Sequence, residues 1–268
     1  MLTYIHSPQM ILSQRIKFSI YIIYMAQSTQ VYCDSTYRYG GSTSNFTYML
    51  KKPLDNMTSF KLISAEIPLT YYNVRNNAGA IDNNNIFYFN EGSTTKQAVL
   101  TAGYYTSTTI ITALQTAMNL AGTNTYIVSF NATTGLFTIT GSGVWASVYP
   151  SFLSVNWLLG FWASASLATI HVADTAPTLD YYQYFYLRLG LNGQFCFDET
   201  GTQNRIIKIP ISNPQGSVQY YFDTSDNKFQ LFSNTPQQSF TVELLDSDYY
   251  PINLNGREYS FTLSFYHQ

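Results

Sequence analysis

Short segments in which every second residue is apolar recur along most of this chain. Near the C-terminus, aromatic or aliphatic and hydroxyl side chains alternate over residues 260–265 (SFTLSF), and Ile63, Ala65, Ile67 and Leu69 follow the same period. Successive side chains of a β-strand point to opposite faces, so this period predicts strands with one buried face. A chain built mainly from such strands must bury one face of each sheet, which favours a β-sandwich or a jelly roll.

The composition favours the same fold class. Aromatic residues make up 17% of the 268 residues and charged residues only 10%, against about 25% charged in an average soluble domain. A net charge of -2 offers no basic field for a general nucleic-acid binder. The 46% of apolar residues excludes intrinsic disorder of the whole chain. No linker divides residues 29–268, so we predict one all-β domain over that range.

One segment shows a helical period instead. Residues 104–121 carry apolar side chains spaced as on one helix face, at Ile110, Ile111, Leu114, Ala117, Met118 and Ala121. Thr106 or Ser107 is expected to cap the start of this helix, and Gly122 to end it. A hairpin follows, with strands at 126–130 and 136–140. The helix and the hairpin are expected to pack on the β domain or to form an insertion in it.

The N-terminal residues differ from the rest of the chain. Arg15 and Lys17 precede the apolar run 18–24 (FSIYIIY), which is too short to span a bilayer. Three interpretations stay open: an upstream extension of the reading frame, a functional arm, or a signal peptide. We treat residues 1–28 as an N-terminal extension, disordered or absent from the mature protein.

Two cysteines, Cys33 and Cys196, are too few for a disulfide scaffold of this length. We expect two reduced thiols, with a single bridge between them as the alternative.

The residues that usually carry catalysis are sparse and scattered. The three histidines, His6, His171 and His267, belong to no metal-binding or nucleophile motif. Residues 141–146 (GSGVWA) match a dinucleotide fingerprint but lack the helix that it requires, so we interpret them as a turn. Residues 246–248 (DSD) place two carboxylates two apart, and we expect solvated loop acids there rather than a calcium site. We therefore predict no catalytic residue, no cofactor, no metal and no enzyme activity.

The aromatic segment 181–186 (YYQYFY) is the most informative one. Alternation predicts that Tyr182, Tyr184 and Tyr186 share one face of a strand. Tyrosine is enriched at protein interfaces because a large, stiff ring carries a polar tip. These three residues are our candidate interface residues. A sandwich core and a carbohydrate-binding platform remain alternatives for the same tyrosines.

Four segments, in order, resemble a known family. Residues 62–74 (LISAEIPLTYYNV) resemble an "AEIP…YN" strand, and residues 103–106 (GYYT) with the helix at 107–121 resemble a "GxYT…L…N" segment. Residues 156–161 (NWLLGF) resemble an "LLGF" segment, and residues 245–263 resemble a closing "LNGxEWSFTL" strand. The family comprises the single jelly-roll penton and minor capsid proteins of virophages, polinton-like viruses and related large double-stranded DNA viruses. In the last segment Tyr259 stands where tryptophan is frequent.

The resemblance implies an all-β, single jelly-roll β-sandwich with one amphipathic helix and a short hairpin insertion. It also implies a structural virion protein: a penton or minor capsid subunit that packs flank to flank in an icosahedral capsid assembled inside the host cell. Its partners would be itself, as a homopentamer, and the major capsid protein, without specific nucleic acid. A host receptor or a spike protein would contact end loops such as Asn73–Asn85 and Asn192–Asn204. The alternative is an extracellular β-sandwich that binds glycans.

Overall fold

A computed structural model describes most of the chain, namely residues 28–76, 83–149, 153–180, 182–191, 196–197, 203–204, 206–231, 236–247 and 249–267.

The described residues form short antiparallel strands. In chain order the strands are β1 (Ser28–Asp34), β2 (Gly40–Gly41), β3 (Asn45–Leu54), β4 (Met57–Pro68), β5 (Ile86–Glu91), β6 (Thr94–Val99), β7 (Tyr126–Asn131), β8 (Leu136–Ser147), β9 (Ala168–Val172), β10 (Tyr184–Leu189), β11 (Cys196–Phe197), β12 (Gln203–Asn204), β13 (Ile206–Pro210), β14 (Val218–Phe222), β15 (Phe229–Gln230), β16 (Gln237–Leu245) and β17 (Ser260–His267). The helices are α1 (Thr109–Ala121), α2 (Val155–Leu158) and a 3-10 turn at Ser35–Tyr37.

Eight of these strands form a jelly roll. One sheet has the order β1-β17-β4-β14, and the other has the order β13-β10-β16-β3, with β2 at its edge. The chain crosses between the two sheets after β1, β3, β4, β13, β15 and β16, the crossing after β4 passing through an inserted segment, which is the double Greek key of a jelly roll. The predicted all-β jelly-roll class is therefore confirmed by the strand pairing itself.

The two sheets of the jelly roll share one hydrophobic core. Leu62 and Phe261 contribute from one sheet, and Phe46, Leu187 and Val242 contribute from the other; each is at most 2% exposed. Burial of apolar surface contributes about 25 cal/mol per Å², so this core is the main source of stability for the sandwich. Cys33 belongs to it as a free thiol, and burial raises the pKa of that thiol far above its ordinary value.

A second unit is inserted between β4 and β10. Its sheet has the order β6-β5-β8-β7, with β9 paired to β8, and α1 packs on β6 and β7. Phe87, Leu114, Phe137 and Trp145 form the centre of a separate core. The insertion is therefore larger than the helix and hairpin that the sequence predicted.

The predicted helix and hairpin both occur in this insertion. The Thr106 hydroxyl accepts a hydrogen bond from the Thr109 N–H (3.2 Å), and Gly122 N–H donates to the Met118 carbonyl (2.8 Å). Strands β7 and β8 pair along residues 126–131, as expected. The helix begins two residues later than predicted because Thr106 closes a turn before it.

A buried polar junction joins the insertion to the jelly roll. The Asn73 side chain donates to the carbonyls of Tyr105 (2.7 Å) and Leu179 (3.0 Å), which links the segments that enter and leave the insertion. Arg75 forms an ion pair with Asp246 at the end of β16 (3.7 Å) and donates to the Tyr182 hydroxyl. The two units are thus held by directional polar contacts in addition to packing.

Candidate functional site

Strand β10 presents two chemically different faces. Phe185, Leu187 and Leu189 are buried in the jelly-roll core, whereas Tyr184 and Tyr186 alternate with them and are only half-buried. Outward tyrosines contribute little to the core, so their abundance on this strand calls for a reason other than folding.

Tyr182 does not share that outer face. It precedes β10 and is buried, 5% exposed, with its ring edge-on to Tyr71 at 4.7 Å. Its hydroxyl accepts a hydrogen bond from Arg75. The prediction that Tyr182 lies beside Tyr184 and Tyr186 is therefore wrong, because the period of two holds only inside the strand and the chain turns before Tyr184.

The outward tyrosines are joined by one from a distant loop. Tyr186 and Tyr249 stack in parallel, with ring centroids 5.2 Å apart and an interplanar angle of 3°, and Tyr184 meets Tyr186 at 5.0 Å and 61°. Tyr249 reaches this position from a backbone with a φ of 65°, a conformation that non-glycine residues rarely adopt. We call these three residues the tyrosine patch.

Cations flank the tyrosine patch. Lys208 Nζ lies 3.8 Å from the centroid of the Tyr184 ring, and the Arg188 guanidinium lies 5.9 Å from that of Tyr249. Arg188 also forms an ion pair with Glu243 on β16 (2.9 Å). Cation–π contacts at partly exposed sites contribute about 0.5–1 kcal/mol each. The patch is thus an ordered amphipathic surface, with aromatic rings held in place before any partner arrives.

The opposite sheet has a different outer surface. Its centre carries small hydroxyl side chains, such as Ser64 and Thr262, which hydrogen-bond to each other at 3.2 Å. Larger aromatic side chains stand at its edges: Tyr32 on β1 is 72% exposed, and Tyr220 and Phe222 on β14 are 58% and 65% exposed. Both outer faces of the jelly roll therefore carry aromatic side chains, which are exposed on this sheet and half-buried in the tyrosine patch.

The described histidines serve structural contacts. His171 is buried and its Nε2 lies 2.8 Å from the Trp145 carbonyl, and His267 contacts the Thr29 hydroxyl (2.8 Å) and the Asp55 carbonyl (3.0 Å). No group of three or more metal-binding side chains occurs among the described residues.

Two loop interpretations from the sequence need correction. Asp246 is 1% exposed and pairs with Arg75, so it is a buried structural carboxylate rather than a solvated loop acid. Residues 141–146 continue strand β8 and pair in part with β7, so they form neither a turn nor the start of a helix that would bind a dinucleotide phosphate.

Several sequence predictions fall outside the described residues. These are His6, Asp248, the extension before residue 28, the Cys196 side chain, and residues 77–82, 192–195 and 198–202 of the two loops proposed for receptor contacts. No helix within the described ranges has both the length and the apolar character needed to cross a membrane.

Sequence reasoning missed part of the patch. Tyr249, Lys208, Arg188 and Glu243 lie on four different segments, and only the pairing of β10 with β13 and β16 brings them together. A sequence signal existed in the aromatic pair at 249–250, but nothing local indicated which strand it would contact.

Comparison with known proteins finds similarity in structure but not in sequence. No protein-family model matches the sequence, and no curated protein matches it. Among the 13 solved chains that match, a selenomethionine-labelled mavirus penton protein is similar over 89% of this chain and 99% of its own, with 11% identical residues and a TM-score of 0.49.

Proposed function

We propose that this chain is a structural virion protein, a penton or minor capsid subunit that builds an icosahedral capsid by flank-to-flank packing. The observation that carries the proposal is the tyrosine patch: Tyr184, Tyr186 and Tyr249 lie outside the core, yet they are ordered by stacking and by neighbouring cations. The four sequence segments that resemble capsid proteins of this class point in the same direction.

The chemistry of the patch suits a protein interface. Tyrosine and arginine are enriched in interface cores, whereas lysine and the acids are depleted there. Rings that are already stacked lose little conformational entropy when a partner covers them. The patch can therefore be buried by a neighbour at a smaller entropic cost than a surface of flexible charged side chains.

The position of the patch suits a closed ring. It lies on the outer face of one sheet, and the exposed Tyr220 and Phe222 lie on the outer face of the other. In a cyclic assembly each subunit contacts its neighbours through two different surfaces. Five copies would form such a ring at a capsid vertex, with the major capsid protein of the same particle around it. This role needs neither a cofactor nor catalysis.

The test is the assembly state of a charged double variant, Tyr184→Glu/Tyr186→Glu. A matched control is Tyr37→Glu, because Tyr37 is 77% exposed and belongs to the 3-10 turn after β1 rather than to the patch. Light scattering after size exclusion should give a wild-type mass of about five chains of 30.4 kDa. The double variant should run as a monomer with an unchanged far-ultraviolet circular dichroism spectrum, and the control should still assemble.

Two results would count against the proposal. A wild-type chain that stays monomeric at high concentration, both alone and with capsid partners, would show that the protein does not self-associate. A double variant that assembles normally would show that the contacts lie elsewhere.

A further inference from the structure

A cleft of about 690 Å³ opens where the insertion meets the start of β10. Its walls combine aromatic and polar side chains, among them Tyr104, Phe130, Trp157, Thr178, Asp180 and Gln183. Small-molecule sites typically have volumes of about 300–1,000 Å³ and combine apolar walls with a few polar groups. The cleft has the size and the composition of such a site, and it is separate from the tyrosine patch.

The aromatic walls are fixed by their own neighbours. Trp157 lies parallel to Trp162 (7°, 6.1 Å between centroids), and the Trp162 indole N–H donates to the Trp157 carbonyl at 3.0 Å. Phe130 packs against Phe137 at 4.9 Å. Flat, rigid rings at a cleft wall can pack against the apolar C–H face of a sugar ring.

The polar groups of the cleft offer hydrogen bonds. Asp180 and Gln183 are exposed, and the Tyr104 hydroxyl donates to the Asp180 carboxylate at 3.3 Å. These groups provide both acceptors and donors, which is what the hydroxyl groups of a sugar require.

The charge of the cleft restricts the ligand. Asp180 is the one charged residue among the described residues that line it. A carboxylate repels phosphates and sialic acids and has no cation here to offset it. We propose that the cleft binds a neutral oligosaccharide, with the sugar packed against Trp157 and Tyr104 and hydrogen-bonded to Gln183 and Asp180.

The experiment uses the full chain and defined probes. Saturation-transfer NMR and calorimetric titration would be run with cellobiose, lactose and N,N′-diacetylchitobiose, and with 3′-sialyllactose as the anionic counterpart of lactose. We expect at least one neutral disaccharide to bind and 3′-sialyllactose to bind more weakly than lactose. Three variants test the assignment, Trp157→Ala, Gln183→Ala and Asp180→Asn, and Asp55→Asn is the matched control for Asp180→Asn.

Gln183→Ala is the sharpest variant because Gln183 is exposed, so its side chain can be shortened with little effect on the fold. It should leave the melting temperature unchanged and still weaken sugar binding severalfold. Trp157→Ala should weaken binding at least tenfold, and Asp55→Asn should have no effect.

Three results would overturn the inference. These are no binding of any neutral probe at tens of millimolar, equal binding by the variants and the wild type, or tight binding of a proline-rich peptide at the same residues, since aromatic grooves also recognise such peptides. None of these results depends on whether the chain assembles into a capsid.

Discussion

Replacement of Arg75 by methionine should destabilise the protein strongly. Arg75 Nη1 lies 3.7 Å from Asp246 Oδ2, and the two side chains are 7% and 2% exposed. The same guanidinium donates to the Tyr182 hydroxyl. Methionine keeps the apolar volume but leaves the Asp246 carboxylate buried without its counter-charge. Breaking a buried pair by removing one partner costs about 3–5 kcal/mol, which is the loss in unfolding free energy that we expect.

The size of the direct attraction can be estimated from the distance. At 3.7 Å and an effective dielectric constant of about 20, two unit charges attract by about 4 kcal/mol. Most of this offsets the cost of removing both charges from water. The double variant Arg75→Met/Asp246→Asn should therefore lose much less than the sum of the single variants. The asparagine oxygen can still accept the Tyr250 N–H, which lies 2.8 Å from Asp246 Oδ1.

Urea denaturation of the four proteins at neutral pH measures this directly. A coupling energy of about 2–4 kcal/mol between the two positions is expected, against about 0.5 kcal/mol or less for independent sites. Native-state hydrogen exchange would show which part of the chain loses protection, because loss of the junction should loosen the segment around Asn73 and Asn84 first. Additive single losses, or a loss below about 1 kcal/mol for Arg75→Met, would refute the reasoning.

Two further predictions concern the insertion and the closing strand. Burial tends to raise the pKa of Glu91, but hydrogen bonds from the N–H groups of Asn124 and Thr123 and the hydroxyls of Thr123 and Tyr126 outweigh it and lower the pKa to about 2. Because this folded-state pKa is below the ordinary 4.5, the stabilisation is present above that pH and is lost as the pH falls towards 2. With solvent screening, Glu91→Gln should lower the unfolding free energy by about 1 kcal/mol at neutral pH. The urea midpoint of this variant should change less between pH 5 and 3 than that of the wild type, and an unchanged acid dependence would contradict this. The Tyr259 hydroxyl is buried without a hydrogen-bond partner among the described residues, so Tyr259→Phe should leave the unfolding free energy unchanged or raise it by about 1 kcal/mol, and a clear drop in the thermal midpoint would contradict this.

The period of two predicted the strands well but not always their inner face. In β4 and just after it, Ala65, Ile67 and Leu69 are fully buried as predicted, whereas Ile63 is not, and Phe60 and Leu62 are buried in its place. Leu263 pairs with Leu62 and Thr262 pairs with Ser64, so Ile63 is the extra residue of a β-bulge. A bulge reverses the parity of a strand, and only the partner strand determines where it falls.

The functional surface was predictable only in its local part. Tyr184 and Tyr186 follow from alternation within one strand, but Tyr249 arrives through a left-handed backbone that no local pattern requires. The burial of Asp246 could not be predicted either, because an acid in an Asp-Ser-Asp segment is normally solvated and its partner Arg75 lies 171 positions earlier. Contacts between residues so far apart depend on the order of strands in the sheets.

The low charge of the chain acquires a physical meaning from the placement of its ion pairs. Each described ion pair joins two segments that are far apart in sequence, and each pair lies within the jelly roll or against it. The pairs are Arg38–Glu258, Lys61–Asp223, Arg75–Asp246 and Arg188–Glu243. Charges are thus used where they fix the order of strands. Much of the remaining outer surface of the two sheets carries hydroxyl and aromatic side chains, whose removal from water costs far less than that of charges. Such faces can be covered by a neighbouring subunit without a large desolvation penalty, which is the property that our proposed capsid role requires.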